Sequence, residues 1–146
     1  MIRIIEYNAS NKLEENKKSR VVDFLFAHLE QFGDPKQDIN KAIDYAFSGE
    51  TGKGGFVLVG YGQDNILGAV VMNNTGMQGY IPEYILVYIA THNSYRGQGI
   101  GKQLMQAAID NAEGNIALHV EHDNPALHLY KKLGFTNKYL EMRLAK

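Results

Sequence analysis

Cysteine is absent from this chain of 146 residues. Its absence excludes disulfide bonds, zinc–thiolate sites and thiol nucleophiles, and it favours a cytoplasmic location. The chain also lacks an apolar run near the roughly 20 residues of a membrane-spanning helix, and its alternating start, Met1–Glu6, lacks the apolar core of a secretion signal. The formal net charge is only -1, without the basic excess of a nucleic-acid binder. We therefore expect a cytoplasmic protein that binds neither membranes nor nucleic acids.

The composition is that of an ordinary globular protein. Hydrophobic residues make up 45% of the chain and charged residues 21%. A chain of this length buries a core of its own without covalent or metal cross-links. It contains no internal repeat and no linker-like segment. We therefore predict one domain that spans residues 1–146.

The spacing of the apolar residues predicts helices and strands. Steps of three and four residues indicate helices over 13–32 and 39–47, from 100 to near 114, and over 124–134. Short alternating or continuous apolar runs indicate strands over 2–6, 56–61, 66–72, 84–91, 116–120 and 139–144, and Gln63–Asn65 predicts a hairpin. The order β-α-α-β-β-β-α-β-α-β predicts an α/β protein with helices packed on a mixed sheet.

A glycine-rich loop, Arg96–Lys102, lies where a predicted strand gives way to a helix. Gly97, Gly99 and Gly101 allow a tight turn and a close approach of the backbone to a ligand. The free N–H groups and the dipole of the following helix suit a phosphate, and the cations at the two ends of the loop add positive charge.

Known phosphate-binding motifs agree only in part with this loop. A Walker loop requires glycine where Arg96 stands and serine or threonine where Gln103 stands. A dinucleotide-binding fingerprint requires its last glycine one residue later than Gly101, and too few residues follow Glu121 for the second half of such a fold. A glycine-rich surface turn before a helix remains the third interpretation.

Two blocks of sequence resemble the GNAT superfamily of acyl-CoA-dependent N-acyltransferases. The run Tyr95–Leu104 is similar to its R/Q-x-x-G-x-G/A signature. Downstream, Asn124–Ala126 and Leu129–Phe135 are similar to its N-x-A-x-x-L-Y-x-x-x-G-F segment, and the predicted order of elements also matches. The resemblance implies a GNAT fold with a splayed central sheet, acetyl-CoA as the donor and an amine as the acceptor.

The resemblance also implies which residues bind the donor. Backbone amides of Gln98–Lys102 would hold the pyrophosphate, and the strand backbone of Ile89–Thr91 would pair with the pantetheine arm. Asn124 resembles a pantetheine-contacting asparagine, although Asp123 is a rival for the aligned position and helix capping is a competing role for Asn124. The full set of expected donor-binding residues is Ile89, Ala90, Thr91, Arg96, Gly97, Gln98, Gly99, Ile100, Gly101, Lys102, Asn124 and Tyr130.

Two residues are expected to act in catalysis. Tyr130 occupies the position whose hydroxyl protonates the leaving thiolate in the family; the alternative is a core tyrosine. Glu83 resembles the general base of some relatives, and strict alternation places it on one strand face with Ile85, Val87 and Ile89. The alternatives for the base are His119, Glu121, His122 and water. The spacing of the histidines and carboxylates does not favour a metal site.

The acceptor side is expected to be formed by the first two helices with their loop, Gly33–Asp38, and by the stretch Gly76–Tyr80. Tyr80, Tyr84 and Tyr88 are its expected lining, and the alternative for these tyrosines is a core or cross-strand role. The expected reaction is direct transfer of acetyl from acetyl-CoA to a primary amine of a small molecule or peptide, without a metal. A non-catalytic acyl-CoA-binding module is the alternative. The exposed edge of the last predicted strand is suited to a homodimer.

Overall fold

The computed structural model describes residues 2–146, so that Met1 of the predicted domain lies outside the described residues. In chain order the main elements are β1 (Arg3–Tyr7), α1 (Glu15–Leu29), α2 (Lys36–Ala46), β2 (Gly55–Tyr61), β3 (Ile66–Asn74), β4 (Tyr84–Thr91), α3 (Ile100–Asn111), β5 (Ile116–Leu118) and α4 (Ala126–Lys132). Two short 3₁₀ helices cover Glu30–Phe32 and Asn93–Tyr95. No helix within residues 2–146 has both the length and the apolar character needed to cross a membrane.

The five strands form one mixed sheet in the order β1-β2-β3-β4-β5. The first four strands pair antiparallel with their neighbours in the chain, whereas β5 pairs parallel with β4 after the crossover through α3. The α/β fold class predicted from the sequence is therefore confirmed.

Helices cover both faces of the sheet. α1 and α2 pack on one face through residues such as Leu25 and Ile43, in what we call the first core. α3 and α4 pack on the other face through Leu104 and Tyr130, in what we call the second core. Because both faces are covered, β2 and β3 are apolar almost throughout, as expected for strands without a solvated face.

A β-bulge interrupts β4. Val71 pairs with Tyr88 but the next residue of β3, Met72, pairs with Leu86, so that Val87 is an extra residue on β4. Val87 and Tyr88 both pack against the first core, and Ile89 returns to the second. Strict alternation, which placed Val87 on one face with Ile89, is therefore wrong beyond this point, because a bulge adds one residue to the strand.

The bulge coincides with the end of the β4–β5 pairing. The last pair joins Leu86 to Leu118, and from Val87 to Thr91 the outer edge of β4 has no strand partner within residues 2–146. A bulge bends its strand and increases the local twist, so that β4 bends at the residue where its pairing with β5 ends. We call the open side of β4 from Val87 to Thr91 the splay.

The closing strand predicted over 139–144 is absent, which corrects that prediction. Residues 133–146 contain no helix or strand, and the side chains of Tyr139, Leu140, Met142 and Leu144 are 78–88% exposed. Alternating apolar residues form a strand only when a neighbouring strand and a core accept them, and β5 spans only Ile116–Leu118 instead of the predicted 116–120.

Candidate active site

The glycine loop takes the left-handed conformation that its glycines allow. Gly97 has φ 80° and Gly99 has φ 81°, a region that residues with a Cβ atom rarely adopt. No atom lies within 4 Å of the place where a Cβ would stand on either residue. The backbone conformation, and not crowding, therefore requires glycine here, and the space above the loop is open.

Most amides of this loop have no partners of their own. Within residues 2–146 the Gln98 N–H closes the turn through Arg96 and Gly97. The N–H groups of Gly97 and of residues 99–102 donate no hydrogen bond within that range, and the first helical bond of this region runs from the Gln103 N–H to the Gly99 carbonyl at 3.1 Å. Unpaired amides at the start of a helix, with the positive end of the helix dipole behind them, bind anions well. Five free donors around an open space therefore fit a pyrophosphate.

The two cations of the loop behave differently. The Arg96 guanidinium donates hydrogen bonds to the His28 carbonyl at 2.8 Å and to the Glu30 carboxylate at 3.4 Å, so that it joins the loop to the end of α1. Lys102 is exposed and pairs with no carboxylate within residues 2–146. Lys102 is thus the cation that remains available to an anion at the loop.

Two histidines connect α1 to the segment before the loop. The rings of His28 and His92 are in contact, with centroids 4.2 Å apart and planes tilted by 35°, and His92 meets Tyr95 edge-on at 5.1 Å. The Asn93 N–H donates to His28 Nδ1 and the Ser94 N–H donates to His92 Nδ1, both at 3.1 Å. Burial, followed by the neighbouring His92 and Arg96, lowers the pKa of His28. We call these contacts the histidine clamp.

The open edge of β4 ends beside the glycine loop. Ile89, Ala90 and Thr91 follow the bulge, and the Thr91 Oγ1 lies 3.4 Å from the position of a Cβ on Gly101 in the first turn of α3. An unpaired strand edge binds an extended chain through its backbone groups. A ligand with an extended arm along β4 and an anionic group at the glycine loop therefore fits this surface.

Tyr130 has a buried ring and an accessible hydroxyl. The side chain is only 5% exposed, and its ring packs against Phe135 with centroids 5.9 Å apart. The hydroxyl makes no hydrogen bond within residues 2–146. Every fully buried polar side-chain atom in that range has a hydrogen-bond partner, so the Tyr130 hydroxyl is not fully buried and reaches solvent. Burial raises the pKa of Tyr130 to about 12. The hydroxyl therefore keeps its proton near neutral pH and is able to donate it.

Asn124 holds the start of α4. Its Oδ1 accepts a hydrogen bond from the Ala126 N–H at 2.9 Å, and its carbonyl accepts one from the Leu127 N–H at 3.1 Å. The helix ends before Gly134, which has φ 100°, the left-handed conformation expected after a helix. Asn124 thus has the capping role that competed with pantetheine binding, and its contact with the donor stays a prediction.

Glu83 is held by backbone amides. Its carboxylate accepts hydrogen bonds from the Asn115 N–H at 2.7 Å and the Gly79 N–H at 3.1 Å. These bonds, the one from Asn115 foremost, lower the pKa of Glu83. A carboxylate stabilised in this way is a weaker base, and its position ties the start of β5 to the loop before β4. Its role as the general base stays a prediction.

Comparisons with known proteins identify the family. A model described as "Acetyltransferase (GNAT) domain" matches residues 53–137, which is more than half of the chain. The chain belongs to the GNAT acetyltransferase family. This result confirms the resemblance found in the sequence. Members of this family catalyse acetyl transfer with acetyl-CoA as co-substrate.

Individual relatives agree with the family. N-alpha-acetyltransferase 30 of Schizosaccharomyces pombe is 33% identical over 85 residues, which are 55% of this chain and 57% of the relative, so that the chain spans less than two thirds of that protein. A transcriptional regulator from Bacillus halodurans has TM-score 0.70 at 20% identity over all of both chains. The ribosomal-protein-S18-alanine N-acetyltransferase from Escherichia coli has TM-score 0.68 at 18% identity, over 95% of this chain and 80% of that one. These structures establish the GNAT fold.

The other residues considered for proton transfer are exposed. His119 lies just beyond β5, with its Nδ1 3.8 Å from the Glu141 carboxylate and 3.4 Å from the Arg143 guanidinium. Glu121 and His122 lie in the exposed connection to α4. Among residues 2–146, no group of three or more histidine or carboxylate side chains is arranged to hold a metal ion.

The tyrosines expected on the acceptor side do not share a face. Tyr84 packs in the second core, with its ring centroid 6.2 Å from that of Phe56, and Tyr80 is 82% exposed. Tyr88 alone faces α1 and α2, because it follows the bulge, and its hydroxyl donates to Asp34 at 2.6 Å. Prediction from the sequence did not single out Asp34, nor His28 and Glu30 as partners of Arg96, because residues so distant in the chain leave no local pattern.

Proposed function

We propose that this GNAT domain transfers an acetyl group from acetyl-CoA directly to a primary amine. The observation that carries this proposal is the open edge of β4 next to five unpaired loop amides. This arrangement places a binding edge for an extended arm beside a binding site for a pyrophosphate. Two relatives are named as N-alpha-acetyltransferase and ribosomal-protein-S18-alanine N-acetyltransferase, and these names support an amine as the acceptor. The acceptor would be a small molecule or a peptide.

In the proposed mechanism the residues of the chain bind the donor, orient its thioester and transfer a proton to the leaving group. The amides of Gly97–Lys102 bind the pyrophosphate, and the backbone of Ile89–Thr91 aligns the arm so that its thioester lies in the splay. The amine nitrogen attacks the carbonyl carbon, the C–N bond forms and the C–S bond breaks. Tyr130 gives its proton to the departing thiolate and regains one from solvent. The proton of the nitrogen passes to water or to Glu83.

The binding step is tested by thermal melting. We expect acetyl-CoA and CoA to raise the melting temperature and NAD to leave it unchanged, since a ligand that binds only the native state stabilises it. Stabilisation by NAD but not by CoA would contradict the proposed donor.

The catalytic step is tested by removing one hydroxyl. We expect Tyr130→Phe to lower kcat by about a hundredfold or more with an amine acceptor, because the leaving thiolate loses its acid, while stabilisation by CoA persists. The measurement is thiol release against a panel of amines, and Tyr139→Phe on the exposed C-terminal segment is the matched control. Equal turnover of Tyr130→Phe and wild type would leave Tyr130 as a packing residue. Binding of CoA without turnover in wild type would identify an acyl-CoA-binding module.

We also propose that the chain forms a homodimer through its C-terminal segment. Tyr139, Leu140, Met142 and Leu144 expose a row of large apolar side chains in the segment that follows α4. Contiguous exposed apolar side chains are typical of interaction surfaces. The outer edge of β5, which no strand covers within residues 2–146, adds unpaired backbone groups, and His119 just beyond β5 contacts Glu141 and Arg143 of the same segment.

A further inference from the structure

Asp34 is a carboxylate without a cation. It lies between the 3₁₀ helix after α1 and the start of α2, and it is exposed. Neighbouring carboxylates around this connection each have a basic partner: Asp23 with Lys36 at 3.0 Å, Glu30 with Arg96 at 3.4 Å and Asp38 with Lys41 at 3.8 Å. Asp34 forms no ion pair within residues 2–146. An uncompensated negative charge is complementary to a cationic ligand.

Tyr88 fixes the position of this carboxylate. The Tyr88 side chain is 7% exposed, and its hydroxyl donates to the Asp34 Oδ2 at 2.6 Å. Burial, together with this hydrogen bond to Asp34, raises the pKa of Tyr88, so that the hydroxyl remains a donor. The Asp34 Oδ1 has no protein partner within residues 2–146 and is free to accept another bond. The carboxylate is therefore oriented on one side and available on the other.

The pair stands at the point where the sheet opens. Tyr88 directly follows Val87, the bulge residue at which β4 leaves β5. Its side chain extends toward α1 and α2, whereas Tyr130, the proposed acid, lies in the core on the opposite face. An amine that enters from the side of α1 and α2 would therefore meet Asp34 before it reaches the splay.

Asp34 is too remote to take the proton of the attacking nitrogen. The full length of the Tyr88 side chain separates the carboxylate from the strand that would hold the thioester. A general base must lie within hydrogen-bond reach of the proton that it removes. The carboxylate is instead placed to bind a positive charge elsewhere on the acceptor.

We infer that Asp34, oriented by Tyr88, binds a second cationic group of the acceptor and thereby selects acceptors that carry two cationic nitrogens. This inference rests on the proposed amine acetylation. The substrate class is a diamine or a peptide with a basic side chain near its amino end, both of which present an ammonium several bonds from the reacting amine. Asp34 is a specificity-determining residue in this assignment, and Tyr88 is a positioning residue.

The test compares acceptors that differ by one positive charge. One pair is cadaverine and pentylamine, and the other is a pair of short peptides with lysine or norleucine at the second position. We expect wild type to prefer the dicationic member of at least one pair, and Asp34→Asn to lower kcat/KM for that member by about tenfold or more, as for a lost hydrogen bond to a charged group. The monocationic member should change by less than about twofold. The pair that responds distinguishes a free diamine from a basic peptide.

Two variants separate recognition from bracing of the loop. Asp23→Asn removes a surface carboxylate of α1 that pairs with Lys36, and it should leave both substrates unchanged. Tyr88→Phe keeps the ring but releases the carboxylate, and it should lower kcat/KM for the dicationic member more than for its partner. Melting curves of each variant with acetyl-CoA report whether the fold and the donor site are intact.

The outcomes distinguish this inference from the proposed function. Equal losses for both members of a pair in Asp34→Asn would show that Asp34 only braces the loop, and an unchanged preference would show that the second charge binds elsewhere; either result overturns the inference while amine acetylation stands. No thiol release by wild type with any of the four acceptors or with any amine of the panel, despite stabilisation by acetyl-CoA, would overturn both.

Discussion

The imidazole rings of His28 and His92 are in contact, although histidine is a side chain that can carry a positive charge. Both accept a backbone N–H at Nδ1, and this geometry requires the neutral ring. Arg96 adds a fixed positive charge, and Glu30 is the one neighbour that favours protonation of His28. The histidine clamp is thus built for neutral rings, and it joins α1 to the segment that leads into the glycine loop.

The clamp predicts a loss of stability in acid. In the folded chain the pKa of His28 is lowered from 6.5. Below about pH 6.5 His28 is therefore protonated to a greater extent in the unfolded chain than in the folded chain. Stability from this residue is therefore complete above that pH and declines as the pH falls toward the lowered pKa. We expect His28→Gln to flatten the decline in unfolding free energy between about pH 7.5 and about pH 5.5. Urea unfolding at a series of pH values measures this free energy.

A histidine outside the clamp provides the comparison. His128→Gln changes an exposed histidine on α4 and should leave the pH dependence as in wild type. An equal slope for wild type and His28→Gln would mean that other groups cause the decline.

Single residues were predictable where their partners are close in the chain. The glycine loop and the block around Tyr130 could be found because a turn and a helix cap need particular residues at fixed spacing. The contacts of Asp34 with Tyr88 and of Arg96 with Glu30 span 54 and 66 residues. No local pattern encodes such pairs, and their roles emerged only from the folded chain.

At the scale of elements, β4 carries the main departure from a regular pattern. The sequence predicted its span, Tyr84–Thr91, because its residues are apolar or aromatic throughout. The bulge at Val87 was not predictable, since nothing distinguishes this valine from the other β-formers around it. The same limit applies to residues 139–144, where a strand-like pattern lacks a neighbouring strand.

Deletion of Val87 should close the splay. Removing the extra residue joins the pairs Val71–Tyr88 and Met72–Leu86 into a regular ladder, and no neighbouring side chain of β4 changes its face. We expect the variant to fold and to lose its stabilisation by acetyl-CoA, because a straight β4 continues to pair with β5. Differential scanning fluorimetry with and without acetyl-CoA measures this loss.

The control for the deletion keeps the residue but trims it. Val87→Ala retains the bulge and loses only part of a half-buried side chain, so that its stabilisation by acetyl-CoA should match that of wild type. If the deletion variant binds acetyl-CoA as wild type does, the bulge is not the cause of the open edge.

At the scale of the whole molecule, the C-terminal segment places four large apolar side chains outside the two cores. We expect removal of residues 139–146 to convert a dimer into a monomer in sedimentation velocity, because the exposed row of apolar side chains is lost. The unfolding free energy of the monomer should change by less than about 1 kcal/mol, since these side chains bury almost no surface within the chain. A dimer that persists after truncation would place its interface elsewhere.

The order of the sheet has a consequence for how the chain folds. β2, β3 and β4 follow one another in the chain without an intervening helix, so that their antiparallel pairings are local, whereas the β1–β2 pairing spans α1 and α2 and the β4–β5 pairing spans the glycine loop and α3. The proposed donor-binding surface thus lies between the locally paired strands β2 to β4 and the crossover through α3. A donor bound there would contact both parts and would stabilise the native chain against local opening. Occupancy by acetyl-CoA would therefore control how often the native chain opens, and with it the exposure of α3 and α4 to proteases.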